Sequence, residues 1–203
     1  MIKASSILKS NTEAAHQSCL IAWSAIAVNF GFEQSLNWLL NDEEPYPTGD
    51  LLALEKSPCK QLRWLHHIPN AGARGNKIAA AHLAAQGLKA GVADIFLPVK
   101  SKTGLHAGYS GLYLELKKPD CTASSFSDKQ LEFALFVIQE NYSWVPTFGA
   151  HHAIYEILFY LNAYDGVMNN GELMAFLNDL MNLSVMANLD KRDLVLEKLI
   201  QSS

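Results

Sequence analysis

The stretch Gly111-Leu112-Tyr113-Leu114-Glu115-Leu116-Lys117-Lys118-Pro119 alternates apolar and other residues as a half-buried strand does. Successive side chains on a strand point to opposite faces. Leu112, Leu114 and Leu116 therefore share one face, and Tyr113, Glu115 and Lys117 share the other. The leucines suit a core. Glu115 and Lys117 then project together at the strand's end, just before a proline that cannot continue the ladder.

Upstream, residues 92–99 read as a partner strand, joined to the first through a glycine-containing loop at 100–110. Asp94 lies on it shortly after Gly91, flanked by Val92, Ile95 and Phe96. A carboxylate amid such residues is costly unless it is paired or bound to a cation. Asp94 followed by Glu115-x-Lys117 is a coherent group for phosphodiester hydrolysis. Two carboxylates can hold Mg²⁺ or Mn²⁺ through oxygen and leave coordination positions for water and phosphate. The Leu116 carbonyl lies between the two side chains and offers a further ligand. A lysine beside them can orient or acidify the attacking water and offset charge at the phosphate. The same spacing also describes a surface ion pair on an exposed sheet edge, so by itself it leaves both readings standing.

Helices surround these strands. Thr12 or Asn11 caps a first helix that runs to about Phe30 and stops at Gly31, with Cys19, Leu20, Trp23, Ala27 and Phe30 on its core face. A short helix at 33–40 leads into an acidic stretch at 41–55 whose Pro45, Pro47 and Gly49 mark a surface excursion. Residues 65–69 read as a short strand, 70–75 as a loop and 76–86 as an alanine-rich helix ending at Gly87. Ser127-x-x-Gln130 matches a capping box and opens a helix to about Asn141. Residues 144–148 form another strand, at an edge or an end because of Pro146. Helices at 151–163, 171–183 and 190–201 complete the chain. The expectation is one α/β domain over residues 1–164, a small mixed sheet flanked by helices with an insertion at about 31–60, and a helical extension over 165–203 packed on it.

The 203 residues are 49% apolar and 18% charged, enough for a sizeable core and ordinary for a globular protein. The apolar stretch 19–30 is too short to span a bilayer, and residues 1–10 do not resemble a signal peptide. Three scattered cysteines fit no zinc or redox spacing, which places the chain in a reducing, cytoplasmic compartment. The adjacent pairs His66-His67 and His151-His152 diverge on any regular element and do not build a zinc site. No Gly-x-x-x-x-Gly-Lys-Ser/Thr loop is present, which excludes an NTP-driven motor. The net charge of −4 argues against a nucleic-acid partner until its distribution is considered. From Lys60 to Lys118 there are nine basic residues and two acids, a balance of +7, and those two acids are Asp94 and Glu115.

The ordered blocks Glu13-Ala-Ala-His-Gln17, His67-Ile-Pro-Asn70-Ala-Gly-Ala-Arg74, Gly87-Leu-Lys-Ala-Gly91-Val-Ala-Asp94-Ile-Phe-Leu-Pro, Leu112-Tyr-Leu-Glu115-Leu-Lys117, Ser127-Asp-Lys-Gln130 and Phe148-Gly-Ala-His-His-Ala153 stand out along the chain. Together they resemble the VRR-NUC family of the PD-(D/E)XK, or restriction-endonuclease-like, nucleases. Ala93 stands where the family commonly has proline. The resemblance implies a restriction-endonuclease-like core in which Asp94 and Glu115 bind Mg²⁺ or Mn²⁺ and Lys117 assists the nucleophilic water. It further implies that Gln130 approaches the metal or the scissile phosphate, and that Glu13 adds an acid, directly or through water. Glu13 equally suits an acid placed at a helix N-terminus by the macrodipole. Gln17 lies one turn along the same face, and Asn70, Arg74 and Lys77 are suited to phosphate contacts. The implied partner is DNA, branched as in junctions or flaps, cut by a chain that can pair as a homodimer. The competing expectation is a relative that grips nucleic acid or protein without cutting.

Overall fold

The Leu-x-Leu-x-Leu strand lies inside a four-stranded sheet of order β1-β2-β3-β4, formed by β1 (His66–His67), β2 (Ile95–Leu97), β3 (Leu112–Lys117) and β4 (Ser143–Phe148). β1 and β2 pair antiparallel, as do β2 and β3, whereas β3 and β4 run parallel. A parallel pair needs a crossover, supplied here by the helix α5 (Asp128–Gln139). The other helices are α1 (Ala4–Leu8), α2 (Glu13–Phe30), α3 (Phe32–Asn41), α4 (Lys77–Ala85), α6 (Ala150–Asn162) and α7 (Met186–Ser202), with 3₁₀ turns at Pro58–Trp64 and Ala123–Ser125. The computed structural model describes residues 1–47, 58–69, 77–101, 107–162, 175, 177–180 and 185–202.

The alternation of β3 divides the core in two. Leu112, Leu114 and Leu116 are 0%, 0% and 2% exposed and pack with Ile95, Leu97 and Val145 against Leu20, Trp23, Ile154 and Leu158 of α2 and α6. On the other face Trp144 and Phe148 pack with Phe126, with Ala134 and Val137 of α5, and with Val195 and Leu199 of α7. This second face carries Glu115 and Lys117, so α5 and α7 enclose the base of the site. The mixed α/β architecture is the one read from the sequence.

Element ends follow local chemistry. Thr12 accepts the Ala15 N–H at 3.1 Å and starts α2, and Gly31, at φ 91°, ends it. Ser127 and Gln130 form the anticipated capping box. The strand expected over 92–99 is only Ile95–Leu97. Past Ile95 the pairing with β3 gives way to a side-chain contact, since the Asp94 carboxylate takes the Leu116 N–H at 2.9 Å while the Asp94 carbonyl accepts the Ile68 N–H at 2.7 Å; at the other end Val99 turns back onto the Leu97 carbonyl at 2.9 Å. β4 is an edge strand, as Pro146 requires. Farther along that edge, His152 accepts the Phe148 N–H at 3.1 Å and Asn188 donates to the Phe148 carbonyl at 3.1 Å.

Part of the stretch assigned to an insertion at 31–60 lies in the core. Phe32, Leu36, Trp38, Leu39 and Cys59 are all buried there. α1 was not anticipated, since its five residues carry no helical apolar period; the Trp38 indole, donating to the Ile2 carbonyl at 3.0 Å, ties its approach to α3. In the C-terminal extension α7 packs on β4, while most of the helix expected at 171–183 lies outside the described residues. Leu177 and Leu180, within that range, belong to the main core. Among the described residues no helix is long and apolar enough to cross a membrane.

Candidate active site

β2 and β3 place Asp94 opposite Glu115, because Ile95 pairs with Leu114 and the antiparallel register carries the preceding residue one step along. Asp94, Glu115, Leu116, Lys117 and Gln130 line one open pocket of about 890 Å³, together with Glu13 and Gln17 from the first turns of α2. Seven residues named from four separate sequence blocks therefore meet in one cavity. Asn70 and Arg74 lie outside the described residues, as does the side chain of Lys77.

Glu115 is 1% exposed and Lys117 8%. Lys117 Nζ donates to Glu115 Oε1 at 2.7 Å and sits 5.4 Å from the centre of the Phe126 ring. Gln130 Nε2 donates to the same oxygen, while Gln130 Oε1 accepts the Ser127 N–H at 2.9 Å. One side chain thus closes the cap of α5 and contacts the buried acid. Thr147 donates to the Glu115 carbonyl at 3.2 Å and fixes that peptide toward β4. The N–H and C=O of a strand residue project to the same side. Since the Leu116 N–H reaches Asp94, the Leu116 carbonyl also faces the Asp94 side, past the start of β2.

The electrostatics record unbalanced negative charge. Burial pushes the Asp94 carboxyl up, and the Leu116 N–H, Lys117 and His67 pull it only partly back. Burial, then the charge of Asp94, push Glu115 up to about 8 against the pull of Lys117. Burial also works to lower Lys117, but Glu115, assisted by Glu13 and Asp94, more than reverses this and holds the ammonium above the ordinary lysine range. Glu115 Oε2 is buried with no hydrogen-bond donor among the described residues aimed at it.

An oxygen of that kind fits a hard divalent cation. Asp94, Glu115 and the Leu116 carbonyl supply three oxygen donors on one side of the strand ends, with Glu13 across the pocket. Among the described residues no three carboxylate, imidazole or thiolate groups cluster as a metal-binding set, so the donors are two carboxylates and a backbone carbonyl.

Three further residues, His67, Asn11 and Lys118, line the pocket without a site role assigned from sequence. His67 opens one of the blocks shared with the nuclease family, and its adjacency to His66 has no zinc-binding sense. Asn11, read as a candidate cap, stands at the rim with φ 45°. His16 accepts the Ala150 N–H on Nδ1 at 3.2 Å, so its proton lies on Nε2 and is donated to Asn11 Oδ1 at 2.9 Å. Lys118 also lines the pocket and pairs with Asp120 at 3.2 Å. No local signal assigns His67 or Asn11 to the pocket, because they reach it through strand register and the approach of α2 to α6. His151 and His152 do not converge on the site. His151 is held down to about 4 by burial, and His152 donates to Glu156 at 3.2 Å inside the core.

No protein-family model matches the sequence, and no curated protein matches it. Among solved structures the chain is similar to a "VRR_NUC domain protein", with 21% sequence identity and a TM-score of 0.45, covering 75% of this chain and 89% of that one.

Proposed function

We propose that this chain is a divalent-metal-dependent DNA endonuclease of the VRR-NUC type, selective for branched substrates such as junctions and flaps. The observation that carries the reading is the convergence of Asp94, Glu115 and Lys117 in one open pocket, with a buried Glu115 oxygen that no donor among the described residues meets. A bound Mg²⁺ or Mn²⁺ supplies Lewis acidity at the phosphate and lowers the cost of forming hydroxide there.

The protein groups have separable tasks. Asp94 and Glu115, with the Leu116 carbonyl, orient the cation through oxygen. Lys117, fixed by Glu115 at 2.7 Å, presents an ammonium to the attacking water and to the charge that grows on the phosphate. Gln130 holds Glu115 in position from α5. Glu13 and Gln17 form the opposite wall, where Glu13 adds to the negative field and Gln17 offers an amide to substrate. The basic balance of the Lys60–Lys118 segment draws a polyanion toward a chain whose net charge is −4. Contacts made mainly to phosphates select shape, not sequence, which favours branched DNA.

The test is cleavage of a labelled four-way junction, a flap and plain duplex in Mg²⁺ and in Mn²⁺, with Lys117→Ala alongside. Cutting that needs metal, and that falls at least about 100-fold in the folded variant, is expected. Tight binding by wild type with no product in either metal would instead identify a non-cleaving relative.

A further inference from the structure

The 3₁₀ turn Pro58–Trp64 repeats about every three residues, which sets Cys59 and Leu62 on one inner edge, followed by Leu65. These are 1%, 1% and 7% exposed. Trp64 points the other way and is 56% exposed, whereas Trp23, Trp38 and Trp144 are 0%, 2% and 3% exposed. A cation flanks the exposed ring, and the backbone that carries it is tied to the next strand. The Arg63 guanidinium lies 5.2 Å from its centre, and His66 Nδ1 donates to the Trp64 carbonyl at 2.8 Å. His66 in turn meets Phe96 of β2 edge-on, at 5.7 Å and 88°. The next residue, His67, lines the pocket that contains Asp94, Glu115 and Lys117.

The surface is thus a pre-positioned indole beside a guanidinium, on a segment that runs directly into the pocket. Residues 58–69 contain Lys60, Arg63, His66 and His67 and no acid. An aromatic face next to a cation is suited to a nucleobase and its phosphate. Tryptophan and arginine also mark protein-docking hot spots. The lack of any acid in the segment and its continuity with a phosphate-handling pocket favour nucleic acid. Bases inside a duplex are already stacked on one another, so only an unpaired base can lie on the ring.

We propose that Arg63 and Trp64 form a stacking platform for an unpaired nucleotide, so that the preferred substrate is single-stranded where it enters the pocket. The proposal deepens the nuclease reading and rests on it for the role of the bound strand, but binding at Trp64 is measurable without cutting.

The full chain is titrated in EDTA with an oligothymidylate about fifteen nucleotides long and with a duplex of equal length, following tryptophan emission. Labelled-oligonucleotide anisotropy reports binding independently. Because the other three tryptophans are buried, a change in emission reports Trp64. Saturable quenching by the single strand, weaker with duplex, is expected. Trp64→Leu is expected to bind the single strand about tenfold more weakly, with Trp64→Phe restoring most of the affinity. Near-UV circular dichroism verifies that the variants are folded.

Unchanged affinity in folded Trp64→Leu, or unchanged wild-type emission when anisotropy shows saturation, would overturn the platform. So would self-association that disappears in Trp64→Leu while emission ignores the oligonucleotide, which would mark a protein-docking surface. Mn²⁺ cleavage by wild type with no loss of flap preference in Trp64→Leu would refute the platform and leave the nuclease reading intact. Quenching as expected, without cutting in either metal, would support the platform and remove that reading.

Discussion

Gly91→Ala tests how closely the site depends on the approach of the β2 entry loop to α5. Gly91 has φ +93°, and a Cβ built there overlaps the Lys129 carbonyl oxygen, with its carbon at 2.6 Å and Lys129 Cβ at 2.8 Å. Two of these are backbone atoms in the first turn of α5, the turn that also carries Gln130 onto Glu115. Gly87 is an internal control, with φ +95° and nothing within 4 Å of its Cβ position. An alanine at positive φ costs about 1–2 kcal/mol, partly offset by a stiffer unfolded chain, so Gly87→Ala is expected to lose about 1 kcal/mol. Overlap with fixed backbone adds roughly another 1–3 kcal/mol, which brings Gly91→Ala to about 3 kcal/mol. At about 2–4 °C per kcal/mol for a chain of this size, Tm falls by about 2–4 °C in Gly87→Ala and about 6–12 °C in Gly91→Ala. The same displacement moves Asp94 relative to Gln130, so Gly91→Ala is expected to lose more cleavage activity even well below its Tm. Thermal unfolding monitored by circular dichroism, paired with Mn²⁺ cleavage, reads both effects. Equal Tm shifts in the two variants would refute the close approach and its part in setting the site.

Ser127→Ala removes a cap from α5 and is expected to cost about 1 kcal/mol while leaving the Gln130 contact to Glu115 and most of the activity. Gln130→Ala loses cap and contact together, so denaturant unfolding and cleavage should separate the two variants. Burial works to raise Glu156, but the bond from His152 and the charge of Arg192, which donates at 2.6 Å, hold it below its ordinary 4.5. A depressed folded-state value contributes stability above the ordinary glutamate range and loses it as pH falls through that value. Wild type should therefore lose Tm more steeply than Glu156→Gln below about pH 4.5. Asn11→Ala removes an amide held at the pocket rim by His16. It should raise the KM for cleavage several-fold with little change in kcat, and an unaltered KM would remove Asn11 from substrate contact.

The residues whose roles were legible along the chain are those governed by short-range rules. Alternation in Leu112–Lys117 sets the faces of β3, Thr12 starts α2, Gly31 ends it, and the Ser127–Gln130 capping box starts α5, because each depends on geometry within a few residues. The pairing of Asp94 with Glu115 and Lys117 was legible as a chemical proposal. Its geometry was set only by the antiparallel register of β2 on β3, which no local spacing encodes. Tertiary structure also shortened β2, where the Asp94 carboxylate takes the Leu116 N–H, and drew α3 into the core through Trp38 and Leu36. It brought His67 and Asn11 to the pocket through strand pairing and through the His16 link between α2 and α6. Order along the chain sets which groups are available and which way each short element faces. Burial, register and the approach of helices distant in the chain decided which of those groups share a charge, because these depend on contacts that exist only after the layers have packed.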